Sequence, residues 1–308
     1  MSITKDDYER LSLHVGLLHY GTNIGVIESG NKIYLIDSGD SEDAGEDILN
    51  AVEHLFPQKE VAAVLNTHSH ADHCGGNAFI SRVTGAEIWS TRAAQKSIEY
   101  PEMQSSLIWG AKPFNRLLTP FYKAEASRVT RFLDEEQTAF ESVGIKTIAL
   151  PGHYDDEAGL LVTDSEDSKS VFFLGDAIFG LEMLKKYWIP FMTDPALFRE
   201  SVGIIENTAA TYYVPSHGSV HTKDTIHELA EINKMVTLET ETLILKILRE
   251  KLSMEELLKR VADYAEINLG LGQFLLIGST LRSFLSSMNN RGLVSYELQD
   301  NRMFWFAK

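Results

Sequence analysis

The 308-residue chain is 44% hydrophobic and 23% charged, ordinary values for a globular protein with room for two domains, which exclude a disordered or collagen-like chain. Its single cysteine, Cys74, excludes an intramolecular disulfide, and no apolar run approaches bilayer-spanning length. The net charge of −16 is uneven: of 28 Lys/Arg and 44 Asp/Glu, 11 and 12 fall in residues 223–308, so the acidity belongs to residues 1–222 and opposes a polyanionic partner.

Met1 to Asp7 lack the basic and then apolar pattern of a secretory signal, so we expect a cytoplasmic protein without membrane contact. Gly21–Glu28 and Lys32–Ile36 flank the turn signal Ser29-Gly30-Asn31 and predict a hairpin. Ile48, Leu49, Val52, Leu55 and Phe56 recur at helical spacing over 46–56, and Pro57 stops that helix. Val61–Leu65 is a buried strand leading into Thr67-His68-Ser69-His70-Ala71-Asp72-His73-Cys74-Gly75-Gly76, which places four potential metal ligands within six residues. In an extended segment His68 and His70 point the same way while Ser69 faces elsewhere. Asp72 and His73 then fall on a turn into a helix, where they can face a second cation. Imidazole and carboxylate suit zinc and comparable transition metals. A small thiol just inside a helix, as at Cys74, is ordinarily packing.

The same device recurs downstream. A helix over 77–83 closes at Gly85, and 86–89 is a strand. Ile145–Leu150 ends in Pro151-Gly152-His153, Val171–Leu174 in Gly175-Asp176, and Tyr212–Val214 in Pro215-Ser216-His217-Gly218. Each apolar strand thus delivers one His or Asp to a turn, which is how separate strands converge ligands on one sheet edge. Strands alternating with helices, with the chemistry on loops after strands, predict an α/β layout.

With these residues in view, the chain resembles the metallo-β-lactamase superfamily over about 15–221. That family's H-x-H-x-D-H pattern falls on His68, His70, Asp72 and His73, its later ligands on His153, Asp176 and His217, and its early Asp-x-Gly on Asp37 and Gly39. The resemblance implies a four-layered αβ/βα sandwich. It implies one metal on His68, His70 and His153, a second on Asp72, His73 and His217, Asp176 bridging them, and Asp37 buttressing the loops. The cofactors would be two divalent transition-metal ions, zinc by default with iron or manganese as alternatives, sharing a hydroxide of lowered pKa. Asp72 and Asp176 are the expected catalytic carboxylates, Asp72 with a second role in proton transfer.

Departures from the family narrow the substrate. Asp176 stands where zinc β-lactamases of the best-known class use Cys, which argues against antibiotic hydrolysis. Around His153 the chain reads Tyr154-Asp155-Asp156-Glu157 rather than a Thr-rich segment, and we read that acidic run as a solvated loop. His221 is a candidate neighbour of the last ligand.

Residues 92–128 form an apolar insertion with Tyr100, Met103, Leu107, Ile108, Trp109, Phe114, Leu117, Leu118, Phe121 and Tyr122, either a lid over a pocket or a cap or dimer contact. Tyr187–Phe191 could line the same pocket. Asp194-Pro195 starts a helix through 209.

From residue 223 the chain is helical without ligand-type residues: helices over 238–249, from the Ser253 capping box, and over 278–290, then a hairpin over 293–306. This resembles a winged-helix domain, so two domains are expected, 1–222 and 223–308. The proposed recognition helix offers only Arg282 and Arg291, so nucleic acid is not the expected partner, and packing or homodimerisation is. The expected function is binuclear hydrolysis of a small-molecule ester, thioester or lactone. A phosphodiesterase or endoribonuclease and a non-catalytic metal-dependent regulator are the alternatives.

Overall fold

A computed structural model describes residues 7–119, 122–133 and 138–308, so residues 1–6 and Phe121 of the insertion lie outside it. The first sheet runs in chain order: β1 (Tyr8–Arg10), β2 (Val15–Leu18), β3 (Ile24–Ser29), β4 (Lys32–Ile36), β5 (Glu60–Leu65), β6 (Glu87–Ser90) and β7 (Arg131–Phe132). β1 to β4 pair antiparallel, with the expected hairpin turning at Gly30, while β4 to β7 pair parallel. Parallel neighbours need crossovers, supplied by α1 (Glu42–Leu55), α2 (Ala71–Cys74) with α3 (Asn77–Thr84), and α4 (Arg92–Glu99) with α5 (Glu102–Trp109). α1 begins six residues before Ile48, its first periodic apolar position, because the Ser41 side chain caps the Ala44 N–H.

The second sheet has the order β12-β11-β10-β9-β8, built from β8 (Thr138–Ala139), β9 (Val143–Ala149), β10 (Ala158–Asp164), β11 (Ser170–Phe173) and β12 (Tyr212–Val214). Only β11 and β12 pair parallel, across α6 (Leu181–Tyr187) and α7 (Pro195–Asn207). Asp194 caps α7 by accepting from the N–H groups of Ala196 and Leu197, as expected. β10 was not foreseen.

Four layers result. Inward residues of both sheets, among them Leu17, Ile36 and Leu65 facing Ile145, Val162 and Phe173, form the central core. α1 and α3 cover the outer face of the first sheet through Ile48, Val52 and Ile80. The outer face of the second sheet packs on α7 and on α8 (Lys223–Ile247), α9 (Met254–Tyr264) and α10 (Leu271–Asn290), through Phe172, Phe198, Ile226, Val261 and Phe284 in one continuous apolar core. The α/β class is as expected.

β13 (Val294–Gln299) and β14 (Arg302–Ala307) form the terminal hairpin. Two helices are longer than their apolar spacing indicated. α8 starts at Lys223, fifteen residues before Leu238, behind a Thr222 capping box, and α10 starts at Leu271, so Phe274–Ile277 lie inside it. Among the described residues no helix is long and apolar enough to cross a membrane.

Candidate metal centre

The strand ends do bring the seven residues together. His68, His70 and His153 each offer a nitrogen within 4.8 Å of the others, and Asp72, His73, Asp176 and His217 form a second group to the same limit. His70 Nδ1 lies 3.0 Å from His68 Nε2 and 2.8 Å from His153 Nε2. Asp176 spans the groups, with Oδ1 3.6 Å from both His73 Nε2 and His217 Nε2, and Oδ2 3.6 Å from His153 Nε2. Asp72 Oδ2 is 3.3 Å from His217 Nε2 and 3.7 Å from His73 Nε2.

Neighbouring groups set which ring nitrogen faces the centre. Carbonyls and carboxylates only accept, so each must meet an N–H. His153 Nδ1 donates to the Phe191 carbonyl at 2.7 Å, His217 Nδ1 to the Gly21 carbonyl at 2.9 Å, and His73 Nδ1 to Asp37 Oδ2 at 2.9 Å. In all three the Nε2 is turned inward. Asp37 also accepts from the Thr67 N–H and hydroxyl, both at 2.8 Å, and so ties the ligand loop to the end of β4. Ser38 N–H and Asn66 Nδ2 both donate to the His73 carbonyl, holding the backbone of α2.

Two acidic residues here are not on a solvated loop, and that expectation is corrected. Asp156 is 5% exposed and accepts from the Ser69 hydroxyl at 2.6 Å, while Glu157 is 2% exposed. Glu157 Oε1 accepts from the Asp176 N–H at 2.8 Å and lies 3.4 Å from His68 Nδ1. The reason is β10: the run turns inward because Ala158 and the apolar residues after it enter the sheet, and only Asp155 stays outside. A Cβ at Gly175, whose φ is +59°, would fall 1.9 Å from Glu157 Oε1, so glycine there leaves room for the carboxylate. The sequence signal that could have found Glu157 is an acidic pair directly abutting an apolar strand.

Electrostatics differ between the groups. Burial, then the neighbouring His73, holds His68 well below the ordinary histidine range, and burial with His153 lowers His70 to about 3. Both shifts, and the lowering of His153 by burial, favour neutral imidazoles whose lone pairs converge. In the second group burial works against ionisation, yet His73 and His217 keep the Asp72 and Asp176 carboxyls below their usual range. In return, against the effect of burial, Asp72 and Asp176 hold His73 well above its own range, and Asp176 and Asp72 raise His217. The second group therefore draws positive charge. Burial first, then Asp176, pushes the Glu157 carboxyl well up.

The donor set fits divalent cations on this chain's own geometry. His73 Nε2 and Asp176 Oδ1 are buried, face the centre and lack hydrogen-bond partners, which is costly unless a cation satisfies them. Cys74 belongs to neither group: its buried thiol donates to the Ser69 carbonyl at 3.3 Å, and burial pushes it well above the ordinary thiol range. His221 pairs through its backbone with Tyr213, and its Nδ1 is buried without a partner.

A cavity of about 400 Å3 opens beside both groups, touching His70, Asp72, His153, Asp176 and His217. The expected aromatic segment reaches it through Tyr187, Ile189, Pro190 and Phe191, and the insertion through Gln104, Ile108 and Tyr122. Tyr100, Met103 and Leu107 of the insertion are exposed instead.

A family model described as the metallo-beta-lactamase superfamily matches residues 19–245. An atrochrysone carboxyl ACP thioesterase of Aspergillus fumigatus is 24% identical over 202 residues, covering 65% of this chain and 51% of that protein. One from Aspergillus chevalieri is 24% identical over 231 residues, covering 75% and 61%. The chain thus spans about half the length of the curated relatives it matches. Among solved structures, a beta-lactamase domain protein from Burkholderia ambifaria superposes with a TM-score of 0.73 at 15% identity, covering 100% of this chain and 96% of that one. A metallo-beta-lactamase family protein from Thermus thermophilus gives 0.70 at 16% identity, covering 98% and 97%. The matched model takes in every one of the seven converging side chains, and this chain belongs to the metallo-beta-lactamase superfamily.

Proposed function

We propose that the protein is a binuclear metal-dependent hydrolase of a small-molecule ester, thioester or lactone, with thioesters favoured. The observation that carries this reading is the pair of ligand groups spanned by Asp176 at the mouth of an apolar cavity. His68, His70 and His153 would hold one ion, and Asp72, His73 and His217 the other, with Asp176 between them. Zinc suits this N/O donor set. Two bound dications there would acidify water and polarise the scissile carbonyl.

The chain's own groups do the rest. Asp37 fixes the tautomer and tilt of His73, and the Thr67 hydroxyl, 3.1 Å from His68 Nδ1, does so for His68 with Glu157 packed 3.4 Å from the same nitrogen. Asp72, 45% exposed, takes up a proton at the cavity mouth in addition to its ligand role. The cavity walls keep bulk water from the acyl portion. The thioesterase names of the curated relatives favour a sulfur leaving group. Among the described residues no Lys or Arg lines the cavity, which sets the ester reading above the phosphodiester one.

We also read residues 223–308 as a winged-helix-like unit adapted to packing rather than to nucleic acid. Several of its cations are neutralised internally: Arg291 by Glu241 at 2.7 Å, Arg260 by Glu250 at 2.6 Å, and Lys259 by Asp263 at 2.5 Å. The deciding experiment is a panel of esters, thioesters, lactones and phosphodiesters on zinc-loaded protein. Turnover confined to phosphodiesters would overturn the reading.

A further inference from the structure

One wall of the cavity comes from the start of α10. Gly270, Gly272, Gln273, Leu276 and Ile277, at the start of α10, face it, and α5 closes one side with Gln104 and Ile108. The two walls meet where Tyr122 packs on α10: a Cβ at Gly272 would fall 2.5 Å from the Tyr122 hydroxyl. Glycine in a helix is otherwise unfavourable relative to alanine, and here it lets the insertion and α10 approach. The helix that a winged-helix reading would send into a DNA groove instead has its first turns inside this pocket.

The lining defines what can sit there. Met183 and Tyr187 of α6, Phe191, Ile108, Leu276 and Ile277 supply apolar and aromatic surface, and among the described residues no Lys or Arg lines it. Of the polar groups, the Gln104 amide is already bonded to the Ser69 carbonyl. A carboxylate or phosphate pushed inside would lose its hydration with no Lys or Arg among the described lining to compensate its charge, away from the ligand groups. An uncharged apolar group would gain from burial. Filled to interior density, about 400 Å3 takes roughly 12–16 non-hydrogen atoms.

We propose that this cavity is an acyl pocket, walled by α10 and α5, for an uncharged medium-chain or aromatic acyl group, with the scissile carbonyl at the ligand groups and the polar carrier outside the mouth. The word acyl rests on the hydrolase reading above; the pocket's preference for an apolar arm is tested apart from it.

The test uses ketones, which keep the carbonyl and the apolar arm but cannot be hydrolysed. Titration calorimetry on the full-length zinc-loaded protein compares methyl octyl ketone and methyl naphthyl ketone with methyl ethyl ketone. The wild type should bind the two large ketones at least about 10-fold more tightly than the small one, a modest fraction of what burying such an arm can yield. Leu276→Asp should lose that preference, and Leu298→Asp, the same charge on the exposed hairpin, should keep it. Met183→Asp repeats the test from α6, a helix without buried residues, should Leu276→Asp misfold by circular dichroism.

Equal binding of small and large ketones by the wild type, or a preference surviving both pocket substitutions, overturns the proposal. Selective ketone binding by a protein that cleaves no ester or thioester keeps the apolar pocket and removes the hydrolase reading. Cleavage without ketone selectivity does the reverse.

Discussion

Glu157 Oε1 stands 3.4 Å from His68 Nδ1, with both side chains fully buried, and the same oxygen accepts the Asp176 N–H at 2.8 Å. One carboxylate therefore supports a member of each ligand group from behind. Outer partners of this kind orient metal-binding side chains, and their loss costs roughly 10–100-fold in metal affinity. Glu157→Ala should weaken zinc binding by that factor in a chelator competition, and Glu157→Gln, which keeps an acceptor oxygen, should recover most of it. Equal affinity in the wild type and Glu157→Ala would show that the Thr67 hydroxyl, 3.1 Å from His68 Nδ1, is enough to hold His68.

Asp176→Ala removes the side chain that reaches both groups while leaving the backbone turn at Gly175 in place. Turnover of the best ester or thioester should fall by about 100-fold or more, about 2.7 kcal/mol in the transition state. Circular dichroism should be unchanged, and bound metal should drop from two ions per chain toward one. Full activity in this variant would remove Asp176 from the mechanism.

Chelation should abolish hydrolysis, and zinc should restore it. Because the ions bind the native state, metal-loaded protein should also melt higher than metal-free protein, by an amount that grows with free zinc. Elemental analysis of the reconstituted protein is expected to give close to two transition-metal ions per chain. A metal content near zero, with activity present, would contradict the assignment.

Asp164, at the end of β10, is fully buried and accepts from the Ser12 hydroxyl and the His14 N–H, both at 2.8 Å, and from the Glu166 N–H at 3.1 Å. Burial works to raise its carboxyl, but these donors outweigh burial and hold it below the ordinary range. A depressed carboxyl stabilises the fold above its unfolded value of about 3.9, and that contribution is lost as pH falls through the folded value. Asp164→Ala should cost about 2–4 kcal/mol at neutral pH. In denaturant titrations at decreasing pH the gap to the wild type should narrow below about pH 4. A gap constant across that range would assign the loss to packing.

A chain ending at Thr222 should not remain a soluble monomer. Cutting there exposes Phe172, Val202 and Tyr213, which share one core with Ile226, Leu257 and Phe284. It also strips Arg199 of Glu241, which lies 2.9 Å away. Size-exclusion chromatography and circular dichroism would check this, and a folded monomer would establish 1–222 as an independent domain.

The seven side chains that converge were legible in the sequence because strand periodicity and turn chemistry are local. His68 and His70 alternate on an extended segment, and His153, Asp176 and His217 each follow an apolar strand into a Gly or Pro turn. Helix starts were less legible, as in α8, whose first half buries Ile226, Leu229 and Ala230 just after the Thr222 capping box, among exposed charged residues that mask the stripe. What the sequence could not show was which residues from distant segments share a space. Glu157 looks like a member of a charged loop until β10 pairs with β9 and β11 and draws it beneath His68. Nothing local marks Leu276 and Ile277 as pocket residues until α10 is seen to reach the cavity beside residues more than fifty positions away. Burial of a carboxylate and closure of a pocket are decided by contacts across layers, and those depend on how the sheets and helices stack rather than on any local pattern.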